Sequence, residues 1–523
     1  MYRQTALAGP GLRPWSATAF FLCAAPVLWF ILTALATPFD HDESQYIAGA
    51  HFSAKMLMFR DFLSLQPPLH GWVMAPVAWA FPSHTVLALR LATAATAVAT
   101  LGLMWSAQRK AGISRDSAAL ATLLIAATAT FQFAAGVVRN DMLPALLSAG
   151  AIHMLLQAMR TCHSRDRIVA GVLFGLAVAA KISFAPLAVA AWMFTLTAGG
   201  RCGPRAAWQL GLGGAIGGAP LVLAWLIAPE SFVYGVITFA MTGPFAWYMA
   251  NGAGHELTMI EKSADLLRFL WKGPGLVALI LIGWQYRARR YRAGQHRPLS
   301  AERRLALWLV IGGGIGAILP TPSHVQYLMP LLPPLALALG HCLDDARHWR
   351  TSARQMLLAL FSLACLPGVM EATLNLSAMA RAGSPVVEAT ADARWAGAMA
   401  RGKVDGDIII ATLAPHRIID SGLPLDPRFA AGPFAYRTGW TITPAKARRI
   451  NAITPQTLGE LDKAPPAGIL VGYENGTRKL PLAPDRELAA YARRRGYQPV
   501  EMPDGVGQLY LRVRKDADRR RPR

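Results

Sequence analysis

The residues of this chain best suited to chemistry form a short run, Asp40-His41-Asp42-Glu43-Ser44-Gln45-Tyr46, just after the first long apolar stretch. Carboxylates there could take the proton of a hydroxyl nucleophile, which is too weak an acid to ionise by itself at neutral pH. Further on come Arg60, Gln66 and His70, the turn Arg139-Asn140-Asp141, then Lys181, and finally His324 and Tyr327. Acids that activate a nucleophile and cations that hold a phosphate are the parts of a group transfer with a phosphate leaving group. Singly, each has a plainer use. Arg139 and Asp141 would serve as a surface pair, Lys181 would snorkel to headgroups, and His324 with Tyr327 would anchor at an interface. His41 with Asp42 and Glu43 could hold a divalent metal, although adjacent residues seldom point at one ion.

The elements that must position these groups are membrane helices. The run Ala17 to Thr37 is long enough to cross a bilayer, which takes roughly 20 apolar residues. Of the 523 residues, 54% are hydrophobic and 16% charged, with a mean hydropathy of +0.32. That composition belongs to a mainly α, polytopic membrane protein. The net charge of +22 would otherwise raise nucleic acid as a partner. Here the basic residues crowd short loops between apolar runs, where they set orientation. There is no zinc-finger spacing and no basic helix interleaved with stacking aromatics, so nucleic acid is set aside. Arg3 and Arg13 precede a first run longer than a signal-peptide core and without a cleavage site, which predicts a retained helix with a cytoplasmic N-terminus.

Alternating from one basic loop to the next predicts about eleven spans, within a range of about 11–13. Inner loops carry Arg109 to Arg115, Arg160 to Arg167, Arg201 to Arg205, Arg287 to Arg304 and Arg347 to Arg354. Long outer loops run from Phe39 to Ser83 and from Pro229 to Lys272, and every candidate residue falls on the outer side. Pro67-Pro68 marks the rigid start of a segment returning to the membrane. No cysteine falls on an outer segment, so an external disulfide framework is not expected. Residues 1–374 read as the multispan core and 375–523 as a soluble α/β domain on the outer face. Strands are expected at Asp407–Ala411, Gly468–Val471 and Val506–Val513, and a helix at Pro484–Arg495. The tail Arg512–Arg523 is too basic to pack and reads as disordered.

Several of these motifs resemble those of the GT-C glycosyltransferases. They are Asp42-Glu43 followed by Tyr46, Gln66-Pro67-Pro68-Leu69, Arg139-Asn140-Asp141-Met142, Lys181, and Tyr327-Leu328-Met329-Pro330-Leu331-Leu332-Pro333-Pro334. The nearest groups are the protein O-mannosyltransferase-like family and the bacterial aminoarabinose and galacturonic acid transferases of lipid A. The resemblance covers the multispan core as far as Gly340, and the order of the motifs carries most of it. It implies a GT-C fold in a bacterial inner membrane, a polyprenyl-phosphate sugar donor rather than a nucleotide sugar, and inverting transfer at the periplasmic face. The acceptor would be a hydroxyl or phosphate on lipopolysaccharide, another glycan or a protein. On this resemblance Asp42 is the first-loop catalytic acid with Glu43 beside it, and Asp141 is the second-loop acid. Arg139, Lys181 and Tyr327 line the donor phosphate. His324 and Arg60 join them from the outer turns, with Tyr46, Gln66 and His70 on the substrate. No cofactor is implied, and a divalent metal stays open. Where the aminoarabinose transferases carry Glu-Lys before the two prolines, this chain has Leu65-Gln66, which counts against aminoarabinose as the sugar.

Three other classes compete, the last a non-catalytic subunit whose external domain recruits a partner. A transporter or flippase of lipid-linked glycans would carry ionisable residues within its spans and inverted repeats with broken helices. Here the carboxylates lie at span ends and no repeat is visible. A polymerase of surface polysaccharide would work on the same face but without the early acidic pair.

Overall fold

A chain inside a bilayer can satisfy its backbone only as helix or closed barrel, and each run read as a span is helical in the computed structural model. The structure describes residues 17–197, 203–292 and 299–513. Arg3, Arg13, Arg201, Arg297 and the tail beyond residue 513 lie outside the described residues. Among the described residues, five helices are long and apolar enough to cross a membrane: Thr85–Lys110, Met142–Thr161, Pro204–Ile227, Val325–Ala346 and Thr351–Ala382. Two bent pairs bring that number to seven if each is one span. Arg115–Ala126 and Ala129–Gly136 meet at 68°, and Met259–Trp271 and Gly275–Arg289 at 95°. The two bends pack on each other. Ala129 N donates to Lys272 O at 2.9 Å, and a Cβ on Gly273, whose φ is +132°, would lie 2.8 Å from Thr128 Cα. Ala24–Ala36 and Ile182–Thr197 are apolar but shorter.

The outer segments are more ordered than their reading as loops implies. Residues 39–83 contain the helices Glu43–Ser53 and Leu69–Ala80, the second starting directly after Pro68. Residues 229–272 fold as a chain of short helices that includes Phe239–Ala250 and Met259–Trp271. Beyond Thr351–Ala382, the helix Pro385–Lys403 leads into a small sheet of β1 (Ile410–Thr412), β2 (Gly468–Val471), β3 (Gln498–Glu501) and β4 (Gln508–Leu511). The spatial order is β1-β2-β4-β3, with β1 parallel to β2 and the other pairs antiparallel. β3 escapes the sequence because its side chains are mostly exposed and it contains Pro499, so neither apolar alternation nor propensity marks it. The expected helix is Asp485–Arg494, and Asp485 accepts hydrogen bonds from the amides of Gly472 and Glu474 at 2.6 and 2.8 Å.

The segments assigned to one side meet one another. Ser114 N donates to Asp344 Oδ1 at 3.2 Å and Arg303 pairs with Asp345 at 2.8 Å, joining three of the basic loops. At the opposite side the C-terminal domain is strapped to the core. Thr85 N donates to Asp420 Oδ1 at 2.6 Å, Ser384 Oγ to Leu35 O at 2.7 Å, and Leu482 N to Asn251 Oδ1 at 2.9 Å.

One buried ion pair ties the outer segments together. Arg90, in Thr85–Lys110, and Glu43 are both completely shielded from solvent. Glu43 Oε1 accepts from Arg90 Nε at 2.9 Å and Val138 N at 2.8 Å, while Oε2 accepts from Arg90 Nη2 at 2.5 Å and Asp40 N at 3.0 Å. The remaining guanidinium protons go to the carbonyls of Ala34 at 3.0 Å, Thr37 at 2.5 Å and Pro38 at 3.3 Å. Every N–H of Arg90 and every acceptor site of the carboxylate is used. Breaking one partner of such a pair leaves a buried charge uncompensated and costs about 3–5 kcal/mol. Arg90→Met and Glu43→Gln should therefore each lower the thermal unfolding midpoint of the detergent-purified protein markedly. The joint change Glu43→Leu with Arg90→Met should recover much of the loss. An Arg90→Met protein as stable as the parent would show that the pair does not hold these segments.

Candidate active site

Three chain turns deliver the polar cluster. Asp40 and Asp42 lie on the lead-in to the helix Glu43–Ser53, Arg139 and Asp141 on the turn between Ala129–Gly136 and Met142–Thr161, and Lys181 directly after Ser164–Ala180. At its centre is Arg139, only 2% exposed. Its Nη1 donates to Asp40 Oδ2 and Asp42 Oδ2, both at 2.5 Å, and its Nε donates to Asp141 Oδ2 at 3.1 Å. The other oxygen of Asp141 takes Lys181 Nζ. Aromatic rings close the sides: Arg139 faces Tyr46 at 5.5 Å and Lys181 faces Tyr327 at 5.2 Å. His70 meets the edge of Tyr46 at 5.6 Å, and His324 that of Tyr327 at 5.4 Å. Asn140 Nδ2 bridges Gln66 Oε1 at 3.0 Å and Ala180 O at 3.1 Å.

The cluster has an open side. The side chains of Asp40 and Asp42 are 24% and 25% exposed, whereas Asp141 is fully buried. Their carboxyls are driven apart in acidity. For Asp42, burial pushes the carboxyl up, but Arg139, His41 and His324 outweigh it and hold it well below the usual range. For Asp40, burial prevails over Arg139, and the neighbouring Asp42 and Glu43 add to it, so its pKa is raised. Burial lowers Lys181 against the pull of Asp141, and holds His70 down to about 4.

Of the residues expected at the site, the structure brings together Asp42, Asp141, Arg139, Lys181, Tyr327, His324, Tyr46, Gln66 and His70. Two are placed elsewhere. Glu43 turns away from the cluster because all its acceptor sites are taken by Arg90 and two backbone amides. Arg60 lies at the surface, where its neighbour Asp61 accepts from Nε at 2.8 Å, and its side chain is 59% exposed. Asp40, in turn, is a full member of the cluster that the motif did not include.

The C-terminal domain adds residues that no local signal marks. His41 Nδ1 lies 3.2 Å from Glu474 Oε2, and its Nε2 accepts from Arg437 Nη1 at 2.8 Å. The metal set considered around His41 is therefore not assembled: His41, Asp42 and Glu43 face Glu474, Arg139 and Arg90 respectively. A different trio, Glu256, Glu261 and Asp265, has ligand oxygens within 4.8 Å of one another. It already carries counter-charge, since Arg268 pairs with Asp265 at 2.7 Å and Lys479 with Glu256 at 2.6 Å.

Comparison with known proteins bears on the family resemblance and the fold. Residues 65–227 match the family model described as dolichyl-phosphate-mannose-protein mannosyltransferase. The structure of ArnT from Cupriavidus metallidurans bound to undecaprenyl phosphate superposes with a TM-score of 0.59, covering 97% of this chain and 100% of that one at 15% identity. The apo structure of the same protein gives 0.58, covering 97% and 99%, also at 15% identity. The chain carries the GT-C fold. A sequence search among curated proteins found no match. The resemblance to GT-C glycosyltransferases read from the motifs is borne out, and the matched segment holds Gln66, His70, Arg139, Asp141 and Lys181.

The opposite shifts of the two exposed acids make a prediction. A depressed pKa such as that of Asp42 contributes stability that is present above its ordinary value of 3.8 and lost as pH falls through its folded value. The raised pKa of Asp40 works the other way, since its ionisation costs stability as pH rises through the folded value. At about pH 7, Asp42→Asn should lower the unfolding midpoint and Asp40→Asn should raise it. The gap between them should narrow on acidification, the Asp40 contribution vanishing first and that of Asp42 only beginning to fall below about pH 4. Equal effects of the two changes at neutral pH would mean that the acids are not differentiated.

Proposed function

We propose that this GT-C protein is an inverting glycosyltransferase that takes a sugar from a polyprenyl-phosphate donor and passes it to an acceptor hydroxyl or phosphate. The reading also places it in a bacterial inner membrane with the site at the periplasmic face, because the basic loops gather at the opposite side. The observation that carries it is the Asp42–Arg139–Asp141–Lys181 chain of alternating charge, closed on one side and open at Asp42. ArnT, of the same fold, binds undecaprenyl phosphate.

The cations have a natural task here. Arg139 and Lys181 hold the phosphate oxygens and stabilise the charge that gathers on them as the sugar–phosphate bond breaks. As Arg139 shares its charge with the phosphate, its grip on Asp42 weakens and the carboxylate becomes a better base. The acceptor oxygen then attacks the anomeric carbon opposite the leaving group, Asp42 takes its proton, and the bonding pair departs with the polyprenyl phosphate. Asp141 keeps Arg139 and Lys181 in register, a positioning role. His70 Nε2 and Asn140 Oδ1 are buried without a partner, which suits them to sugar hydroxyls, since buried polar atoms are otherwise nearly always bonded. An apolar groove of about 270 Å³ lies between the helices that precede and follow Lys181 in the chain, lined by Gly175, Val178, Ala185, Ala188, Trp192 and Gly214, and would take part of the prenyl chain. A transporter reading has no comparable use for an acid held by a guanidinium at the span ends.

In purified protein supplied with a polyprenyl-phosphate sugar, Asp42→Asn should reduce turnover about 10²–10⁴-fold, the usual worth of a positioned base, with donor affinity nearly unchanged. Near-normal transfer by well-folded Asp42→Asn protein would sink the assignment. Lys181→Ala should instead weaken donor binding, through loss of charge-assisted hydrogen bonds. For orientation, fusions after Val513 should give active alkaline phosphatase and a dark cytoplasm-dependent fluorescent protein; the opposite pattern would put the site on the cytoplasmic side.

A further inference from the structure

Arg437 is a cation near the site that acids reach only from a distance, Glu474 and Asp42 favouring its charge without bonding to it. Arg139 and Lys181 are already answered by Asp40, Asp42 and Asp141. Among the described residues no carboxylate pairs with Arg437. Its Nη1 donates to Nε2 of the His41 ring at 2.8 Å, and its Nε is buried without a partner. The guanidinium lies 4.6 Å from the ring of Phe434 and 4.7 Å from that of Trp247, so aromatic faces carry it where an acid would be expected. A half-buried guanidinium with no anion bonded to it leaves a strong recognition element unused, and its planar fork suits a carboxylate or phosphate.

The chain also takes care to bring this arginine to the site. Arg437 ends the short helix Pro433–Arg437, which starts after Gly432 at φ +59°. A Cβ on Gly432 would lie 2.6 Å from Ser44 Oγ, so the turn seats the helix directly on the one that follows Asp42. His41 is steered by Glu474, also from the C-terminal domain, so that Nδ1–H faces the carboxylate and Nε2 faces Arg437.

We propose that Arg437 binds an anionic group of a substrate, a phosphate or carboxylate, at the mouth of the site, so that the C-terminal domain completes substrate recognition. The proposal rests on the phosphate-leaving transfer argued above. In it, His41 releases Arg437 to the incoming anion, and the anion sits across the opening from Asp42. The same chemistry could belong to the donor's phosphate or to an anionic group on the acceptor.

The test uses the full chain in nanodiscs of phosphatidylcholine, which supply no net-anionic headgroup. Binding of a short-chain polyprenyl phosphate without sugar, and separately of inorganic phosphate, is measured for the parent, Arg437→Ala and Arg437→Lys. Loss of a hydrogen bond to a charged group should weaken binding about ten- to hundredfold in Arg437→Ala, with partial recovery in Arg437→Lys. Weaker polyprenyl phosphate binding assigns Arg437 to the donor. Loss of inorganic phosphate binding alone, with polyprenyl phosphate unaffected, assigns it to an acceptor anion. Unchanged binding of both probes by folded Arg437→Ala protein overturns the proposal. If Arg437→Ala does not fold, Arg437→Gln keeps much of the stacking without the charge, and unchanged binding there overturns it equally. A parent chain that binds inorganic phosphate through Arg437 but no polyprenyl phosphate would end the donor reading while leaving this one standing.

Discussion

The pair formed by Glu43 and Arg90 fixes the helix ends on which the polar cluster is built. Neither side chain bonds to the charged groups of the cluster, yet their hydrogen bonds reach the end of the first helix, the backbone of Asp40, and the turn at Val138 that delivers Arg139. A salt bridge with no solvent access gains stability only when every donor and acceptor is matched. Here that condition also dictates geometry. Val138 must offer its amide and the carbonyls of Ala34, Thr37 and Pro38 must converge, so three segments distant in sequence have little freedom left.

That rigidity matters because the cluster it supports is electrostatically tense. Arg139 serves three carboxylates, and Lys181 shares the third of them. With two cations and three acids in one cavity, the balance leaves room for a proton on one acid. Burial raises the pKa of Asp40, while Arg139, His41 and His324 hold that of Asp42 down. A phosphate entering this site would draw on cations already committed to acids, so donor binding and the basicity of Asp42 are linked through Arg139. The linkage has a chemical use: Asp42 would become a good base only when a donor is present to be attacked.

The membrane architecture was largely legible in the sequence, because a bilayer forces apolar runs into helices and basic loops mark one side. The cluster was legible in part. Arg139, Asp141 and Lys181 stand out as charges at span ends, where a charge demands a partner. Glu43 was misplaced for a physical reason: a carboxylate beside a reactive one looks equivalent in sequence, while helical geometry turns adjacent side chains about 100° apart, here toward Arg90. Arg90 itself left little trace, being a single charge within a long apolar helix. Arg60 followed the opposite course, since its immediate neighbour Asp61 satisfies it at the surface. Nor could Arg437 and Glu474 be read, because their part in the site depends on how a separate domain docks, and no local pattern encodes that.

The docking of that domain sets the character of the opening. The turns at the helix ends supply the three acids and the two cations that answer them. The C-terminal domain supplies Arg437 and Glu474, and through Glu474 it fixes the orientation of His41 beside Asp42. Since the domain is held by bonds to Thr85, Leu35 and Asn251 rather than by the cluster, its inner surface can change without disturbing the charge chain beneath it. Variation in what the site accepts is therefore cheapest at this surface, and the residues that meet the substrate first are those least constrained by the reaction.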